Sequence, residues 1–196
     1  MTSNYLDSAI KQFEYYKLLG EKAISQLTEQ QLFSKYNLES NSVEIIINHL
    51  SGNMLSRWTD FLITDGEKEW RNRDAEFETD EKTREALLIK WNEGWNCLFH
   101  ALGQLKEEDL SKEIFIRNQG HTVIEAINRQ LAHYPYHIGQ IVFIGKLFCD
   151  QNWESLSIPK GKSTNYNAEK FSGLKEKKHF TDEYLKKGDA NNNHET

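Results

Sequence analysis

Between residues 5 and 27, apolar side chains fall at Leu6, Ile10, Phe13, Ile24 and Leu27, with Gly20 on the same line. That three-to-four-residue spacing is one face of a helix and predicts a first long helix. Thr28 and Gln31 have the spacing of a capping box, so a short helical turn through Phe33 should follow. The polar run 34–42 breaks the pattern, and Asn41 with Glu44 three residues later supplies a second N-cap signature. A second long helix is predicted over 42–64, its apolar face made by Val43, Ile46, Ile47, Leu50, Met54, Trp58 and Phe61. Asp65-Gly66 should end it, because glycine takes a left-handed cap without strain. A third helix, over about 81–105, carries a stripe of Leu87, Leu88, Trp91, Trp95, Leu98, Phe99, Leu102 and Leu105. A fourth, over about 123–148, opens on a capping box of Thr122 and Glu125 and has Ile124, Ile127, Leu131, Ile138, Ile141, Gly145 and Phe148 as its seam.

The connections are informative too. Residues 65–82 are highly charged yet include Trp70 and Phe77, which predicts a structured loop packed over an edge of the core. Residues 114–120 alternate in polarity and read as a short extended stretch with a turn. Beyond Cys149, Trp153, Leu156 and Ile158 are expected to dock on the helices, and from about Ser172 the chain is polar and expected to be mobile. The architecture expected is an all-α four-helix bundle over residues 1–165, with a long loop after helix two and a polar tail over 166–196.

Composition narrows the class. Only 2 prolines and 11 glycines punctuate the 196 residues, too few for the turns of an all-β sandwich or barrel. No run approaches the roughly 20 apolar residues of a membrane span, and the start of the chain lacks the pattern of a secretory leader, so a cytoplasmic protein is expected. Cys97 and Cys149 lack CxxC spacing, which argues against a disulfide framework and against a cysteine zinc site. A net charge of −6 offers no basic footprint for nucleic acid. Gly161-Lys162-Ser163 lacks the first glycine of a phosphate loop, since Leu156 stands there.

Among seven histidines, His133 and His137 stand one helical turn apart, the spacing that gives one metal two nitrogen ligands. The glutamate of an HExxH motif is absent, and two core histidines would explain the pair about as well. His49 lies in the otherwise apolar start of helix two, where a polar group needs a partner. If helices two and four are neighbours, the three imidazoles converge. Asn53 and Arg57 follow on helix two and are candidates to contact an anionic or amide-bearing ligand. The competing reading of Arg57 is structural, its head paired with an acid such as Glu67 or Asp74. Gln140, three residues past His137, is placed to orient a ligand. Arg71 and Arg73 either close over this site or form a solvated surface. Pro135, between the two helix-four histidines, removes a helical hydrogen bond and should kink the helix there.

A histidine on the second helix with an HxxxH pair on the fourth resembles the DinB-like (YfiT-like) superfamily of metal-dependent bundles. Within it, residues 49–77, 127–146 and 153–163 are similar to the DUF1572 group, and the likeness covers roughly 5–165. The resemblance implies an up-down-down-up bundle, frequent homodimers, and a divalent metal, zinc or nickel, on His49, His133 and His137. Some superfamily members are transferases that activate a low-molecular-weight thiol, whereas DUF1572 carries no transferable activity. The expected function is thus a metal-dependent transferase or hydrolase of a small molecule, activating a thiol or water. The metal needs no protein nucleophile, so no catalytic residue is assigned. The alternative is a non-catalytic bundle for ligand binding or protein association.

Overall fold

The computed structural model describes residues 4–78 and 83–185. Four long helices dominate: α1 (Asn4–Ser25), α3 (Val43–Trp58), α4 (Arg84–Gly103) and α5 (Val123–Cys149), with short helices α2 (Glu29–Phe33) and α6 (Ser163–Ser172). One antiparallel hairpin, β1 (Glu113–Ile116) with β2 (Gln119–Thr122), precedes α5.

Local side chains set most helix starts. Thr28 Oγ1 accepts from the Gln31 N–H at 3.3 Å while Gln31 Oε1 accepts from the Thr28 N–H at 2.7 Å, and Thr122 and Glu125 repeat the exchange before α5. The cap of α3 is Ser42 rather than Asn41, its hydroxyl accepting from the Ile45 N–H at 3.2 Å. Thr83 caps α4, so that helix begins later than expected; residues 79–82 lie outside the described residues.

Helix α3 ends at Trp58, not at 64. Thr59 turns to extended backbone and Asp60 takes the left-handed region at φ 48°, a conformation a short polar side chain tolerates. Phe61 stays in the core regardless, its ring 5.1 Å from that of Trp58. Gly66 is not a helix cap. Its N–H donates to the Phe115 carbonyl at 2.8 Å and ties the loop to the hairpin.

The long helices pack in pairs. Ser51 Oγ donates to the Lys90 carbonyl at 2.8 Å, and farther along both helices the Cys97 sulfur meets the Met54 carbonyl, so α3 and α4 run parallel. Their contact is close because Gly94 has no side chain: a Cβ there would sit 2.8 Å from Ser51 Cα. Helices α1 and α5 are likewise parallel, joined at one end by Tyr5 Oη to Asn128 Oδ1 (2.7 Å) and at the other by Cys149 Sγ to the Gln26 carbonyl (3.3 Å). The two pairs oppose each other, since Gly20 of α1 lies against Trp91 while Arg84, earlier on α4, reaches the Leu27 carbonyl. Phe13, Leu50, Trp91, Trp95 and Tyr134 fill the space between them.

The alternating stretch is a hairpin whose turn residues, Arg117 and Asn118, have φ of 55° and 59°, the primed geometry that matches strand twist. In the charged loop, Trp70 is exposed rather than docked, and Phe77 alone of its two aromatics packs inward. After α5, Trp153 and Leu156 pack on the core while Ile158 is exposed. The stretch expected as a mobile tail is in part packed against α1. Thr181 is wholly buried, Asp182 pairs with Lys11 at 3.1 Å, and Phe180 and Tyr184 meet the Tyr15 ring. Residues 186–196 lie outside the described residues. Among the described residues no helix is long and apolar enough to cross a membrane.

Candidate metal centre

Helix α3 is buried at all but two of its positions, Gly52 and Leu55, so its polar residues see little solvent and need partners inside. His49 faces α5, where His133 and His137 rise one turn apart. His49 Nε2 lies 3.4 Å from His133 Nε2, which lies 3.2 Å from His137 Nε2. One ligand atom from each falls within 4.8 Å of the others. Pro135 leaves α5 continuous from Val123 to Cys149, and the histidines on either side of it keep their one-turn register.

The opposite face of each ring is held by oxygen. His49 Nδ1 donates to Glu76 Oε2 at 2.9 Å, His133 Nδ1 to Gln130 Oε1 at 3.1 Å and His137 Nδ1 to Gln140 Oε1 at 3.3 Å. Each such bond places the ring proton on Nδ1 and leaves Nε2 as a bare acceptor. Burial, with the neighbouring imidazoles, pushes His133 down to about 3 and His137 down to about 4, so both rings are neutral at pH 7. With their Nδ1 sides engaged by oxygen, the three Nε2 atoms face one another, an arrangement that suits a shared cation. A neutral nitrogen set of this size suits zinc or a similar divalent ion.

Glu76 is itself fixed. Desolvation opposes its charge, but hydrogen bonds from His49 and Arg71 outweigh that and hold its carboxyl below the ordinary value. Arg71 meets it through Nε at 2.7 Å and Nη2 at 3.0 Å, with the arginine side chain only 2% exposed. Gly52 makes room, because a Cβ there would collide with the Glu76 carboxylate. Phe77, one residue on, lays its ring 5.3 Å from that of His49.

The other predicted residues divide. Asn53 lines the cavity above the histidines and accepts from Tyr134 Oη at 3.1 Å. Arg57 lines the same cavity while bonding the Gly66 carbonyl and Glu67 Oε2, the latter at 3.1 Å, so it pairs with Glu67 and not Asp74. The Gln140 amide is engaged with His137 and does not line that cavity. Sequence reasoning missed Glu76, Gln130 and Tyr134. Gln130 had a signal, since it precedes His133 by the same three residues that separate Gln140 from His137. Glu76 had none, as its approach to His49 spans 27 residues of chain and depends on the loop.

Fold and cluster together define a mainly helical protein with a three-histidine group able to hold a metal. The chain belongs to the DUF1572 family, described as a protein of unknown function, whose model matches residues 1–162. No curated protein and no solved structure matches it.

Proposed function

We propose that the protein is a DinB-like, up-down-down-up four-helix bundle that holds one divalent metal, zinc or nickel, on His49, His133 and His137, and acts as a small-molecule transferase or hydrolase. The observation that carries this reading is the convergence of three Nε2 atoms whose partner Nδ1 atoms are all committed to oxygen acceptors. A bound ion of this kind supplies Lewis acidity that favours the deprotonated form of water or a thiol. The chain's own residues do the rest. Glu76, Gln130 and Gln140 hold the imidazoles in one tautomer and one orientation, and Arg71 holds Glu76. Phe77 covers one side of His49 and shields it from water. Asn53 and Arg57 face a cavity of about 560 Å3 next to the histidines and are positioned to bind and orient a substrate there.

Elemental analysis of protein prepared without a histidine tag should find close to one metal per chain, lost in His137→Ala. Metal-free protein under metal-replete conditions would overturn the proposal. Thiol conjugation and amide or ester hydrolysis, assayed beside the same variant, then separate an enzyme from a binding protein: equal rates in the two would favour binding.

A further inference from the structure

The sequence contains six arginines, and five of them, Arg57, Arg71, Arg73, Arg117 and Arg129, line the histidine cavity. Among the described residues no lysine, aspartate or glutamate lines it. In a chain of net charge −6 this is a strong local reversal of sign. The choice of arginine over lysine is also chemical, because a planar guanidinium fork matches the oxygens of a carboxylate or phosphate.

The five are not equivalent. Glu67 holds Arg57 and Arg117 at 3.1 and 3.0 Å, and Glu76 holds Arg71, so two carboxylates outside the cavity lining fix three guanidinium groups in place. Arg73 and Arg129 have no carboxylate partner among the described residues. Arg73 lies over the Phe77 ring, its guanidinium carbon 5.4 Å from the centroid, and that ring in turn rests on His49. Arg129 projects from α5 one turn before His133. Two unpaired cations therefore border the cavity from opposite elements, the loop and α5, against a background of three anchored ones.

We infer that the site takes an anionic small molecule, one that presents a carboxylate or phosphate group to Arg73 and Arg129 with its reacting part at the histidines. This rests on the metal-site reading above and narrows its substrate class. Such a cavity concentrates oxyanions from solution, the more so at low ionic strength.

Calorimetric titration of metal-free and zinc-loaded protein with succinate, with inorganic phosphate and with neutral succinamide tests it. Saturable binding of at least one oxyanion is expected, weakened by added salt and absent for succinamide; the succinate and phosphate arms tell the two chemistries apart. The double variant Arg73→Gln/Arg129→Gln should lose about tenfold or more in affinity. Both side chains are exposed, so folding should persist, with circular dichroism and zinc content as the check. Arg129→Lys should retain part of the binding. Undetectable binding of both oxyanions, equal binding of succinamide, or unchanged affinity in the double variant would overturn the inference. Zinc measured on the same samples keeps the two ideas apart. One zinc per chain without oxyanion binding defeats the anion proposal alone, and arginine-dependent binding without zinc defeats the metal reading alone.

Discussion

His49 Nδ1 and Glu76 Oε2 lie 2.9 Å apart with side chains 8% and 9% exposed, which makes a loop carboxylate the buried support of a helix imidazole. Arg71 completes the chain of contacts from the other side of the carboxylate. Glu76→Gln keeps the volume but removes the charge, leaving a buried guanidinium poorly compensated. The expected cost is about 3–5 kcal/mol of stability, with a 10–100-fold loss in metal affinity. Urea unfolding and zinc competition against a chromophoric chelator would measure the two. Unchanged zinc affinity would show that Glu76 does not support the ligand.

Gln130 and Gln140 play matching parts from three residues before and three residues after the α5 histidines. Gln130→Leu removes the acceptor for the His133 ring proton inside the core and should weaken metal binding about tenfold or more. Gln140→Leu should do the same through His137. The same chelator competition reads both, and a loss in only one would mean that the two rings are not held in equivalent ways.

Asp65 is one of several carboxylates, Glu67 and Glu76 among them, that contribute to the pH dependence of stability. Desolvation works against its charge, but the N–H groups of Asn118, Glu67 and Arg117, at 2.8, 2.7 and 2.8 Å, together with the Arg57 charge, hold its carboxyl below the ordinary value. A depressed folded value stabilises the protein above the unfolded carboxylate pKa of about 4, and that contribution disappears as pH falls through the folded value. Asp65→Ala, which frees the hairpin turn from the loop, should therefore cost about 1–3 kcal/mol at pH 7. The gap from the parent protein should close in acid. Denaturant unfolding at pH 7 and near pH 3 checks this, and a gap of constant size would refute it.

Tyr134 sits between His133 and His137 on α5 with its hydroxyl wholly inside, accepting from Trp58 Nε1 at 2.9 Å and donating to Asn53 Oδ1 at 3.1 Å. Burial pushes its phenol well above the ordinary tyrosine value, so it stays a donor at every physiological pH. Tyr134→Phe strands both partners and should lower stability by about 1–3 kcal/mol while leaving metal stoichiometry at one. A fall in zinc content would instead tie this network to the ligands themselves.

Some of these features were legible along the chain because their causes are local. Capping boxes at Thr28 and Thr122 involve residues three apart, and the α5 histidines share a face because helical periodicity puts them there. The end of α3 was not legible, since Phe61 continues the apolar spacing although Asp60 has already left the helix. Trp70 misled in the opposite direction: an aromatic in a charged loop suggested burial, yet it is Phe77 that docks.

By itself the sequence determined the helical class, the seams of the long helices and which three histidines were candidates, because periodicity and side-chain chemistry are written residue by residue. Tertiary structure alone decided that the three Nε2 atoms meet, that Glu76 rather than Asp74 enters the core, and that five arginines from two loops and two helices gather at one cavity. Those outcomes depend on how parallel and antiparallel helices pack and where a 25-residue connection between α3 and α4 is pinned, which no local spacing encodes.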